Sequence, residues 1–148
     1  MRSPLLLSVL ALAACSGGEA RQTAASEFDT FLPPAVTEWR CYFFRADNVF
    51  DPADTDTHKV VFVNDLRNPD NHARITYGGE TLTLYSRNPI DTSTPSGTID
   101  FQVEDYPGTT VLMDLVAGEA VPESRDFTGT LRIKGTDARV DFKGSCRG

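Results

Sequence analysis

The 148-residue chain carries little with which to do chemistry, having only two histidines and three cysteines. His58 and His72 stand in no H-x-x-x-H pattern and beside no cysteine pair, so the spacing of a zinc site is missing. There is no G-x-S-x-G, and a serine nucleophile would have neither its strained elbow nor a histidine to activate it. No glycine-rich loop opens a helix to cradle phosphate. Carboxylates are plentiful, 21 Asp and Glu against 14 Lys and Arg, yet none is singled out in sequence for acid–base work. The chain therefore reads as non-catalytic and free of cofactors. A net charge of −7 supplies no basic stripe for nucleic acid. After Leu12 no apolar run is long enough to cross a bilayer.

What is present begins at the N-terminus. A basic start (Met1-Arg2), an apolar segment from Leu5 to Leu12 and two alanines have the layout of an export signal. Leu12-Ala13-Ala14-Cys15 resembles the lipobox of bacterial lipoproteins, a branched apolar residue and two small residues before an invariant cysteine. The resemblance implies cleavage before Cys15, a diacylglycerol on its thiol and acylation of its new amine. A single saturated chain binds a membrane only marginally, whereas two or three on one residue hold it durably. Ser16 stands where Asp favours inner-membrane retention in enteric bacteria, so the address implied is an outer-membrane lipoprotein facing the periplasm or the surface. Residues 1–14 are then the signal, 15–34 a lipidated tether and 35–148 the exported domain. Losing Arg2 with the signal leaves the mature chain one charge more negative than −7, which keeps it soluble and steers cationic partners towards it.

The tether is rich in Gly, Ala, Ser, Thr and Glu. Within it Ser26-x-x-Asp29, with Phe28, Phe31 and Leu32, predicts one or two helical turns docked on the domain, since so short a helix is not stable alone. Pro33-Pro34 stops them.

Beyond that point the pattern has a period of two. Trp39–Phe44 and Lys59–Asn64 are β-branched and aromatic. Ala73, Ile75 and Tyr77 share a face, as do Leu82 and Leu84; Ile99, Phe101 and Val103; Val111, Met113 and Leu115; Leu131 and Ile133; and Ala138, Val140 and Phe142. Polar residues alternate with them, as on a sheet with one buried face. Gly78-Gly79, Pro107-Gly108 and Gly135-Thr136-Asp137 are hairpin links. Eight short strands joined by tight links predict an all-β domain, an antiparallel eight-stranded barrel or a closed sandwich of up-and-down hairpins.

With Cys15 given to lipid by that resemblance, Cys41 and Cys146 remain, and an oxidising compartment favours their pairing. Bridged Cα atoms lie within about 7 Å of one another. The first and last strands must then be neighbours, as in a sheet closed on itself. Eight strands leave room for side chains or for one small apolar ligand.

Asp47, Asp51, Asp54 and Asp56 crowd the connection before the second strand. Asp54-x-Asp56-x-His58 is a weak calcium candidate lacking the glycine and the closing glutamate of a calcium loop; the alternative is a solvated acidic loop. If Trp39, Cys41 and Phe43 face the core, Tyr42 and Phe44 face outward. Val61 or Val63 would extend that patch, and Phe28 and Phe31, or the loop around Asn48, would cover it.

Lipobox, short tether, a cysteine in the first strand, about eight strands and a terminal cysteine resemble in layout the small lipoproteins that inhibit c-type lysozyme, which fold as antiparallel barrels. Their Ser-Gly and Lys-Gly motifs match Ser96-Gly97 and Lys134-Gly135. The resemblance implies Ser96 and Lys134 as inhibitor contacts, although Thr98-Ile99-Asp100 and Gly129-Thr130 stand where that family has tyrosines. Two functions are thus expected of a membrane-anchored chain. One is a non-catalytic binding or assembly module, for a cationic protein or a small apolar ligand; the other is an inhibitor of a cationic hydrolase.

Overall fold

The structure, a computed structural model, describes residues 27–33, 39–65, 72–88 and 90–147. Cys15 and its lipobox lie outside these residues. Nine strands follow in chain order: β1 Phe28–Asp29, β2 Trp39–Arg45, β3 Phe62–Asp65, β4 Ala73–Tyr77, β5 Glu80–Tyr85, β6 Gly97–Val103, β7 Thr110–Val121, β8 Ser124–Ile133 and β9 Arg139–Arg147. From β2 to β9 each strand pairs antiparallel with the next, and β9 returns to pair with β2. The result is a closed eight-stranded up-and-down barrel, as the alternation and the cysteine pair require, and not a sandwich.

The seam is read directly from the register. Cys41 lies opposite Cys146 and Phe43 opposite Gly144. The disulfide joins the facing pair with Cα atoms 4.0 Å apart. Period two then sorts the side chains. The residues expected inward on β4 to β9 are buried, except Tyr77 and Ala138, which are half-buried against the same core.

Aromatic rings fill the middle of the barrel. Phe43 stacks on Phe142 at 4.6 Å and on Phe62 at 5.3 Å between ring centroids, while Phe127 and Phe101 meet this stack edge-on. Each such ring contributes about 1.5–3 kcal/mol through burial. The interior is lined and occupied by these side chains. The outer wall is the reverse of a membrane barrel, whose lipid-facing band is apolar. A row of Thr98, Asp114, Thr130 and Asp141 crosses β6 to β9.

Two expectations for the N-terminal side need correction. Residues 27–33 form no helix, and Phe28 and Asp29 pair with Tyr77 and Thr76 of β4 as a short strand. The reason lies in β3, which pairs only with Ala73 and Arg74. The far half of β4 would otherwise keep unpaired backbone groups, and the incoming chain satisfies them. This stretch, assigned to the tether, is therefore part of the barrel. Phe28 enters the core rather than covering the outer patch. That patch is Val60 and Val63 with Phe31, Tyr42 and Phe44. Val61 is not in it, because the bend at Val61 turns both Val61 and Phe62 inward.

Two inward positions are glycines. A Cβ on Gly144 would collide with the Tyr42 carbonyl oxygen and approach a Phe43 ring carbon to 2.7 Å. One on Gly129 would meet the Asp114 carbonyl oxygen and the Phe142 ring. The backbones and rings approach this closely only because no side chain intervenes. Gly144→Ala is expected to lower unfolding stability by roughly 3 kcal/mol. Chemical denaturation measures it, and an unchanged midpoint would mean that the seam is not so closely packed.

Candidate functional site

The two ends of the barrel differ. At one end the segment after β5 folds across the opening. Ile90 is buried there, its carbonyl oxygen lies 3.8 Å from Cys41 Sγ, and Arg125 Nη1 donates to Thr92 O at 3.4 Å. The sulfur contact is packing only, because a bridged sulfur has no proton to donate. Ser86 is buried beside this segment. This end is plugged.

At the other end the barrel opens into a cleft of about 770 Å³. Its floor is made by inward residues at the ends of their strands, Phe28, Tyr77, Ala138 and Val140. Phe28 meets Tyr77 edge-on at 5.4 Å between centroids. Barrel mouths are common places for binding sites. Carboxylates dominate the rim, with Glu27, Asp47, Asp137 and Asp141 against Arg45 and Arg139. Both guanidiniums are already engaged, Arg45 with Asp47 and Arg139 with Asp141, each at 3.2 Å. Glu27 and Asp137 have no ion-pair partner among the described residues, so the mouth keeps an uncompensated negative charge.

The acidic loop after β2 borders this mouth, and its carboxylates are spent locally. Asp54 caps the 3-10 turn Thr55–His58 by accepting from Asp56 N at 3.0 Å. Asp56 pairs with Lys59 Nζ at 2.8 Å, and the Lys59 ammonium holds its carboxyl below the usual range. Asp51 accepts from Ala53 N. Among the described residues no three His, Cys, Asp or Glu side chains converge on a point that a metal would occupy. Asp54 and Asp56 thus act as turn formers. The loop also carries Phe50 over the outer patch, edge-on to Phe44 at 6.3 Å and stacked on His58 at 4.7 Å. His58 Nε2 lies 3.0 Å from Asp51 O, which can only accept, so that nitrogen carries the proton.

The remaining sequence candidates do not assemble. Ser96 lies at the plugged end, where its hydroxyl accepts from Ala117 N at 2.9 Å. Lys134 is exposed in the β8–β9 turn at the mouth. Ser96 precedes Gly97, which is in register with Gly129 through Leu115. Five residues of β8 then separate that level from Lys134, about 17 Å of strand. The two therefore stand at opposite ends of the barrel. His58 and His72 likewise fall at opposite ends.

Sequence reasoning missed the mouth. Its floor and rim come from four separate stretches, and only the faces of β4 and β9 were visible beforehand. On the outer wall a row of polar side chains is tied together by hydrogen bonds. Asp114 accepts from Arg132 Nε at 2.8 Å and from Thr98 Oγ1 at 2.7 Å, and these bonds hold its carboxyl below the usual range. Thr130 and then Arg139 do the same for Asp141.

Comparison with protein-family models, with curated proteins and with solved structures gives no match.

The lowered carboxylate affinities have a consequence for stability. A group whose pKa falls on folding stabilises above its unfolded value, about 3.9 for Asp, and that contribution disappears as pH drops through the folded value. The melting temperature is therefore expected to fall below about pH 4, and Asp114→Asn to make that fall shallower. Identical acid profiles for the two proteins would contradict the assignment.

Proposed function

We propose that this chain is a lipid-anchored, non-catalytic binding module of the bacterial cell envelope, which takes a cationic, partly apolar segment of a partner protein into the mouth of its barrel. The observation that carries the reading is the asymmetry of a filled barrel, plugged at one end and open at the other onto an apolar floor with an acidic rim. A floor of Phe28, Tyr77 and Val140 suits the aliphatic stem of a lysine or arginine, and the unpaired Glu27 and Asp137 suit its head. Charge complementarity of this kind raises association rates and suppresses acidic competitors.

The lipid anchor rests on Leu12-Ala13-Ala14-Cys15. Glu27 lies on the rim, so lipidation of Cys15 would hold the mouth within about 40 Å of the membrane surface, the extended reach of the chain between them. A periplasmic inhibitor of a cationic hydrolase is the second form of this reading, with the hydrolase docked at the acidic mouth.

The test uses the full chain expressed in a bacterial host and extracted from its membranes. Its mass should show cleavage before Cys15 and a diacylglycerol on that residue. A peptide alternating lysine and leucine should bind it, more weakly as salt rises, with affinity reduced about tenfold in the double variant Glu27→Gln, Asp137→Asn. An unmodified Cys15 refutes the anchor. Binding that ignores both salt and the double variant refutes the mouth. Full activity of a c-type lysozyme at a large excess of the chain removes the inhibitor form of the proposal.

A further inference from the structure

A second opening lies on the side of the barrel, where β5 and β6 separate. Their pairing is short, Leu84 with Val103 and Tyr85 with Gln102. On its other side β6 is paired along its length from Gly97 to Gln102. After Tyr85 the chain turns inward to bury Ser86, so the β5-facing edge of β6 from Gly97 to Phe101 has no strand partner among the described residues. Two adjoining clefts of about 520 and 380 Å³ run along this edge and share Asn88 and Thr98.

The lining differs from that of the mouth. One ring, Tyr85, stands 42 % exposed, and around it are Arg87, Asn88, Asp100 and Gln102. The side chains of Tyr85, Arg87, Asn88 and Asp100 make no hydrogen bond or ion pair among the described residues. Gln102 gives Nε2 to Thr110 Oγ1 at 3.3 Å and keeps its carbonyl oxygen. The neighbouring wall differs, since Thr98 bonds Asp114 and Thr130 bonds Asp141. The far end of the groove is held in shape by Asp91, whose Oδ1 accepts from Ser93 N at 2.8 Å and from Ser93 Oγ at 2.6 Å.

We infer that this groove binds an oligosaccharide strand. A sugar ring offers a face of C–H groups and an edge of neighbouring hydroxyls, each both donor and acceptor. The groove supplies the matching groups. Tyr85 has an apolar ring face, the Asp100 carboxylate accepts, the Asn88 amide donates and accepts, and the Arg87 guanidinium donates as a fork. Arg87 offsets one of the two carboxylates, Asp100 and Asp91, so the groove disfavours an anionic polymer and suits a neutral one.

An extended peptide adding to the β6 edge is the rival occupant. Strand addition draws its specificity from pockets for alternate side chains. Here the inward positions, Ile99 and Phe101, are already buried in the core, and the outward ones are polar. The groove also opens away from the acidic mouth, so the inference does not depend on the partner proposed there.

The experiment is a titration of the isotope-labelled full chain with the tetramer of N-acetylglucosamine and with cellotetraose, followed by amide NMR. Shifts are expected at Tyr85, Asn88 and residues 97–102 at saccharide concentrations on the order of millimolar. Tyr85→Ala should weaken binding about tenfold, while Tyr85→Phe, which keeps the ring, should retain most of it. Because Asp100 is exposed, Asp100→Asn serves as the second variant should Tyr85→Ala fail to fold, and it should also weaken binding. Overturning results are no shift with either saccharide, shifts confined to the mouth, or undiminished binding by both variants. Groove shifts produced by an extended valine–threonine peptide, but by neither saccharide, would also overturn it in favour of strand addition.

Discussion

The pairing of β2 with β9 is the constraint on which the rest of the structure depends. An eight-stranded meander left open would expose two edges and could not enclose its apolar face. Once Cys41 faces Cys146 the edges are used up, and the period-two residues of every strand from β2 to β9 point at one another. The disulfide restricts the unfolded chain, a contribution on the order of 4–5 kcal/mol for a loop of this length. It also fixes the register that puts Gly144 against Phe43, so that ring can lie on Phe142. Fastening and packing are therefore one feature, since a slip of one residue would drive a side chain into the Tyr42 carbonyl and turn the phenylalanines outward.

Closure also decides where binding can occur. Six phenylalanines lie in the core of the barrel, and the clefts described lie at its end and on its wall. The end at the disulfide is covered by Ile90 and the segment that Arg125 holds down. The opposite end is open. β1 completes the wall beside β4 but stops short of roofing the mouth, and Tyr77 and Ala138 remain half-buried. The acidic loop after β2 has its own packing task, holding Phe50 over Phe44 and His58, and its carboxylates shape the turn beside the mouth.

Much of the fold is legible in the residues because alternation is a local signal. Ile99, Phe101 and Val103 announce their common face without knowledge of any partner, and lipidation of Cys15 would leave one cysteine pair to close the sheet. Features set by distant partners were not legible. Phe28 and Asp29 have helix-like surroundings in sequence but become a strand because half of β4 lacks a neighbour. The β7–β8 link, Pro122-Glu123, contains no glycine or asparagine to mark it, although Glu123 takes a φ of 65°. Ser96-Gly97 and Lys134-Gly135 looked like related motifs, and only the strand register shows that they lie at opposite ends. The mouth is assembled from stretches as far apart as Phe28 and Val140, which no local pattern connects, whereas the side groove lies between Tyr85 and Gln102 and shows only once β5 and β6 are seen to part.

Amide hydrogen exchange across the seam tests the closed barrel most directly. In the oxidised chain the amides of β2 and β9 that pair across Cys41–Cys146 and Phe43–Gly144 should be among the slowest to exchange, at the rate of global unfolding. Exchange there as fast as at the exposed turns would mean that β2 and β9 are free edges, and that the sheet is not closed.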